Sequence, residues 1–250
     1  MGHRIYLLGR VGIESDRGLI EAPDFPGRQG RLAFVVLAAE LRRIDRHRLA
    51  DVLWDDELPD QWMSALAAIT SKLRKLLSDA GLDGSAVLDG RDGSYELRFP
   101  SGTWIDLQTA INSLDRAEGL LRRDRPAEAW SEASVASSIF RRPFLSGESG
   151  EWVERMRRDL HEYEVRTFDA LAQVWLALER PVAALQAARR VVDLAPFRES
   201  AHARVMECHL AAGDRAEAVQ VYGRLREMLE ETMGLSPNEQ TEQLYAQALG

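Results

Sequence analysis

The chain has 250 residues, 45% hydrophobic and 29% charged, an ordinary globular mixture that is neither disordered nor fibrous and is long enough for two cores. Its single cysteine, Cys208, excludes an intrachain disulfide and a cysteine-rich zinc site and fits a reducing cytoplasm. The net charge of −8 argues against indiscriminate attraction to polyphosphate, although the acidity lies mainly after Gly102 and leaves the preceding region near neutral.

Residues Ile5 to Ile13 alternate loosely, broken by Gly9 and Gly12, and Leu19 to Glu21 follow a polar stretch; the pattern predicts a small β-meander or hairpin. Met1 to Gly9 lacks the small-residue cleavage pattern of a signal peptide. Arg31 to Arg43 carries apolar residues at helical spacing. Its core, Leu32 to Ala39, is the longest wholly apolar run and falls far short of the roughly 20 residues that cross a bilayer, so no membrane partner is expected. Asp45 is placed to cap a second, short helix ending near Trp54, because its carboxylate can accept amides left open in the first turn. After an acidic loop, Asp55 to Asp60, a third helix from Gln61 to about Ser78 gathers Leu66, Ile69, Leu73, Leu76 and Leu77 on one side. Gly81 and Gly84 stop it. Ala86 to Leu88, a turn at Asp89 to Gly93, and Ser94 to Phe99 then read as a hairpin, since Asp and Gly tolerate positive φ. Three helices followed by a hairpin make a winged helix.

Beyond Pro100 to Gly102 nearly every segment reads as helix, with breaks at Arg125-Pro126, Arg142 to Gly150, Arg180-Pro181, Ala195-Pro196, Gly213 and Ser236-Pro237. A shift of 34 residues lays Leu176-Ala177 on Leu210-Ala211, Ala184 on Ala218 and Leu185 on Val219, the tetratricopeptide period. An earlier hairpin, Asp106 to Phe140, stands more than one period ahead, so the array is irregular. The expected fold is therefore mainly α, an α+β winged helix-turn-helix over residues 1–102 and an all-α tetratricopeptide-like array over 103–250.

Arg28 to Ala39, then Arg46-His47-Arg48-Leu49-Ala50-Asp51-Val52-Leu53-Trp54, then Ser71-Lys72-Leu73-Arg74-Lys75-Leu76-Leu77 occur in an order that resembles the SARP-type bacterial transcriptional activators, over almost the whole chain. That family joins an OmpR-like winged helix to a bacterial transcriptional activator domain of tetratricopeptide-like helices. The resemblance implies a cytoplasmic regulator that binds double-stranded promoter DNA at direct repeats, as a homodimer or tandem assembly, and recruits RNA polymerase. Carried over by position, Ala67, Ala68, Ser71 and Lys72 face the major groove, Ser64, Arg74 and Lys75 contact phosphates, and Arg91 on the wing meets the minor groove or backbone. The same resemblance makes Asp55, Asp56, Glu57 and Asp60 a polymerase-contact loop; read alone, they form an ordinary polar loop. The chain departs from the family in placing Ala67, Ala68 and Ile69 where polar base-reading side chains are common, and Lys72 gives up the planar fork of an arginine.

Read in isolation, Lys72, Arg74 and Lys75 are a solvated helix face. The six tryptophans read as packing rather than as a ligand cage, Cys208 as a core residue, and the five histidines show no metal-ligand pairing, so neither cofactor nor metal is expected. No phosphate-binding Gly-x-x-x-x-Gly-Lys loop, Gly-x-Ser-x-Gly elbow or His-Glu-x-x-His helix occurs, which argues against an enzyme. The alternative to a DNA-binding activator is a non-enzymatic interaction scaffold, with a partner on the repeats and a degenerate winged helix.

Overall fold

The computed structural model describes residues 2–55 and 57–250. It divides into two compact units, Met1–Thr109 with Arg142–Asp159, and Ala110–Arg141 with Leu160–Gly250. Among the described residues, no helix is long and apolar enough to cross a membrane.

In the first unit β1 (Arg4–Tyr6), β2 (Gly12–Ser15) and β3 (Gly18–Ile20) form the expected antiparallel meander, with Ile13 opposite both Ile5 and Ile20. The helix expected from Arg31 begins earlier, as α1 (Gly27–Glu40), and ends before Arg43. Leu41 adopts the left-handed conformation there and its N–H returns to the Leu37 carbonyl, a closure that leaves Arg42 and Arg43 outside the helix. Leu32 to Ala38 are all buried. β4 (Ile44–Asp45) leads into α2 (Arg46–Trp54), and Asp45 caps it as expected, accepting the His47 N–H at 2.8 Å.

α3 (Trp62–Asp79) follows. The strand expected from Ala86 begins later, because Gly84–Val87 form one turn of helix, α4, capped by the Asp83 carboxylate. Gly84 does more than break α3: a Cβ at this position would lie 1.9 Å from the Arg74 carbonyl oxygen, so only glycine lets α4 pack this closely on α3. β5 (Leu88–Arg91) and β6 (Ser94–Leu97) make the hairpin, with β4 along the outer side of β6. Its turn is two residues, Asp92 and Gly93, rather than Asp89 to Gly93; both have positive φ, 51° and 69°, as the tightest hairpin requires. Asp89 is thus a strand residue and buried.

β7 (Trp104–Ile105) pairs in parallel with β1, giving a sheet of order β3-β2-β1-β7. Asp106, the first residue of α5 (Asp106–Leu121), is fully buried and accepts the amides of Leu7, Leu8 and Leu107 at 2.7 to 3.1 Å. Burial raises its pKa in spite of those bonds.

After α6 (Pro126–Phe140), residues 142–159 return to the first unit as a strap that runs into α7 (Glu151–Ala177). Phe144 bridges Leu8, and the Gly9 N–H donates to the Pro143 carbonyl at 2.7 Å. The buried Glu148 carboxylate accepts from the guanidiniums of both Arg28 and Arg31 on α1. Burial opposes its ionisation, but the two arginines prevail and hold its pKa below the usual carboxylate range. Arg157 donates to the carbonyls of Phe144, Leu145 and Glu148, fixing the bend of the strap. Trp152, the one buried tryptophan among the described residues, donates from its ring nitrogen to Glu40 at 2.9 Å.

In the second unit α8 (Pro181–Leu194), α9 (Glu199–Ala211), α10 (Arg215–Met233) and α11 (Glu239–Leu249) continue from α7. Successive helices pack as neighbours, and α8 and α10 open at the spacing that the repeat predicted. Ala184 and Ala218, the overlaid pair, are both fully buried in an alanine-rich core with Ala188, Met206 and Cys208. Burial pushes the Cys208 thiol up to about 11, which leaves it inert. Tyr222 stacks on Tyr245 at 3.9 Å and donates to Glu242, and that bond helps push its pKa up to about 12 while tying α11 to α10.

Candidate nucleic-acid interface

The amphipathic pattern of α3 decides which of its residues can meet a ligand. Leu66, Thr70, Leu73, Leu76 and Leu77 are buried, and the steps of three and four between them leave the opposite side open. On that side Ser64, Ala67, Ala68, Ser71, Lys72 and Lys75 are exposed in one stripe, while Ile69 is half-buried at its margin. Among the described residues no carboxylate pairs with Lys72 or Lys75, so both ammonium groups face solvent.

Arg74 differs from the other residues singled out on α3. It is half-buried, and its Nε donates to the Leu88 carbonyl at 3.0 Å, joining α3 to the first strand of the wing. The wing itself is braced by charge. Asp89, 7% exposed, lies 2.9 Å from both the Arg43 guanidinium and Arg91 Nε. Burial would raise its pKa, but the two arginines dominate and lower it. Arg43 also donates to the Arg91 carbonyl and to Ser94 Oγ, so the residue before β4 stitches the hairpin together. Arg91 is exposed and reaches solvent from this brace.

Sequence reasoning missed Arg43, Asp89 and Arg46. Asp89 was read as part of the turn, and the brace could have been anticipated only from the Asp92-Gly93 pair, which marks a two-residue hairpin and places Asp89 within the strand. Arg46, the first residue of α2, donates its backbone N–H to the Gly93 carbonyl at 3.0 Å and is exposed beside the wing tip.

The loop between α2 and α3 carries Asp55, Glu57 and Asp60, all exposed; Asp56 lies outside the described residues. Asp55 has φ 50° and its N–H closes α2 on the Asp51 carbonyl, while Glu57 N–H returns to Trp54 and Trp62 N–H to Pro59. Leu58, 44% exposed, projects from the same loop.

The geometry can be set beside known proteins. The chain is 24% identical over 225 residues to the transcriptional regulatory protein MoaR1 of Mycobacterium tuberculosis, covering 90% of this chain and 72% of that protein. It is 25% identical over 222 residues to the regulatory protein AfsR of Streptomyces coelicolor, covering 89% of this chain but 22% of AfsR. The structure of Mycobacterium tuberculosis EmbR in complex with a low-affinity phosphopeptide superposes with a TM-score of 0.88 at 22% identity, over 99% of this chain and 65% of EmbR. That likeness bears out a winged helix followed by a tetratricopeptide-like array, and the relatives bear out the resemblance to SARP-type activators. Residues 105–249 match the bacterial transcriptional activator domain, and with more than half of its length in that match the chain belongs to this family.

Proposed function

We propose that the chain is a cytoplasmic, non-enzymatic transcriptional activator in which residues 1–102 bind double-stranded promoter DNA and residues 103–250 form the activator half. The observation that carries this reading is the exposed α3 stripe, with two lysines that pair with no carboxylate among the described residues, beside a braced hairpin that presents Arg91. Ala67, Ala68, Ser71 and Lys72 line the groove side, Ser64, Lys75 and Arg91 supply phosphate or minor-groove contacts, and Arg74 acts chiefly by holding the wing to α3. Two alanines at the centre of the stripe leave few hydrogen bonds for base edges, so selectivity comes from DNA shape and from two copies on direct repeats. The loop at Asp55, Asp56, Glu57 and Asp60 is assigned to RNA polymerase, with Leu58 as an apolar anchor amid the acids.

Mobility shifts of the full chain on duplex DNA at several salt concentrations test the reading. Affinity is expected to fall with salt, and the double variant K72A/K75A to lower the slope of log K against log salt by about 1, the share of the phosphate contact at Lys75. Binding with no salt dependence, or a slope untouched in the double variant, removes the assignment. A scaffold reading draws on Trp130 and Val182, 43% and 71% exposed on the helical unit. Pull-downs from lysate separate the two, since polymerase subunits among the captured proteins support activation and an unrelated partner captured without DNA supports the scaffold.

A further inference from the structure

Around the start of α2 and the wing, cationic side chains are almost all committed to carboxylates. Arg42 and Arg48 pair with Glu40 at 2.6 and 3.1 Å, Arg43 and Arg91 with Asp89, and Arg98 with Glu96 at 2.6 Å. His47 rests on Asp45 at 3.2 Å. Arg46 breaks the pattern: it is exposed, and among the described residues no carboxylate lies within ion-pair distance of it.

Its place is fixed by the wing. The Arg46 N–H on the Gly93 carbonyl holds the backbone, and the guanidinium stem passes the hairpin tip, where a Cβ on Gly93 would lie 3.7 Å from Arg46 Nε. Two of the amides that a helix start ordinarily offers to an anion are already engaged here. Arg46 donates to Gly93, and His47 donates to the Asp45 carboxylate, which also sets a negative charge at the helix start. With these two amides engaged and the Asp45 carboxylate beside them, a phosphate at this corner is better received by a side chain, and Arg46 is the exposed cation there that has no carboxylate partner among the described residues.

We propose that Arg46 is a DNA-phosphate contact, supplied by α2 and positioned by the tip of the wing, that adds to Lys75 of α3. The inference rests on the DNA-binding reading above. Because a phosphate contact is independent of sequence, a mixed-sequence duplex serves as the probe. With the full chain titrated from about 50 to about 200 mM salt, R46A is expected to reduce the slope of log K against log salt by about 0.9 and to weaken binding about five- to tenfold near 0.1 M salt. R46K keeps the charge and the slope, and R42A, which removes a cation already paired with Glu40, leaves both unchanged; equal thermal unfolding of the variants ties the differences to contact rather than folding. An unchanged slope in R46A, or an equal loss in R42A, overturns the proposal while the DNA-binding reading stands. A wild-type chain without salt-dependent binding overturns both.

Discussion

The two units fill their interiors with different proportions of large and small side chains. Most of the largest fully buried side chains, among them Phe34, Ile5, Leu37, Leu66, Leu73 and Leu77, belong to the winged-helix unit, although Leu114 and Leu225 of the helical unit are buried as completely. The core of the helical unit is rich in alanine, with Ala117, Ala133, Ala172, Ala184, Ala188 and Ala218 all fully buried, and small residues let neighbouring helices approach closely where they meet. The first interior is therefore sensitive to lost volume and the second to added volume.

Four measurements break or sharpen that comparison. Because a chain of two units need not unfold in one step, each is followed by hydrogen exchange, which reads the units apart. The largest effect is expected for Leu73→Ala, which opens a cavity beneath the α3 stripe and destabilises the first unit by about 2–5 kcal/mol. A cost below about 1 kcal/mol would mean that the site collapses, and the contrast between the interiors would fail. Ala188→Leu is expected to cost the second unit about 1–3 kcal/mol by overpacking, and a neutral result would show slack between its helices.

Two smaller effects separate the units by pH. The Glu148 carboxyl has its pKa lowered by Arg28 and Arg31, so its contribution is complete above the ordinary carboxylate value, about 4.3, and is lost as pH falls through the lowered folded value. Glu148→Gln is expected to weaken the first unit near neutrality and flatten its acid limb; an acid limb unchanged from the wild type would show that other carboxylates dominate. In the second unit His209 is buried with neither ring nitrogen hydrogen-bonded, and its pKa is lowered by that burial and by Arg189, against the opposing pull of Glu217 and Asp214. The unfolded chain takes up the proton first, so stability is complete above about 6.5 and is lost as pH falls through the lowered folded value. The second unit is expected to soften at a higher pH than the first, and His209→Phe to abolish that early loss; loss that persists in the variant locates the proton elsewhere.

Legibility followed the range of the interactions. The α2 cap at Asp45 and the α8 and α10 starts at Pro181 and Arg215 were readable because caps, prolines and a repeated period act within a few residues. The exposed side of α3 was readable for the same reason. What escaped was set by distant partners. Gly84 looks like a stop, yet it is small because the Arg74 carbonyl lies against it. Asp89 looks like a turn acid, but Arg43, more than forty residues earlier, makes it a buried brace. The return of residues 142–159 to the first unit has no local mark, since a loop containing Ser146, Gly147 and Gly150 resembles any connection between helices.

That strap also sets the order in which the molecule can be finished during synthesis. Thr109 leaves the ribosome ahead of α6, and Glu148 and Trp152 emerge only after it. At about 5–20 residues per second, roughly 3–10 s separate Thr109 from Asp159. During that interval Arg28 and Arg31 lack their carboxylate, Glu40 lacks the indole of Trp152, and the apolar surface around Leu8 lacks Phe144. The first unit is thus completed only after residues 142–159 have been made, and a chain released before then would leave that surface uncovered.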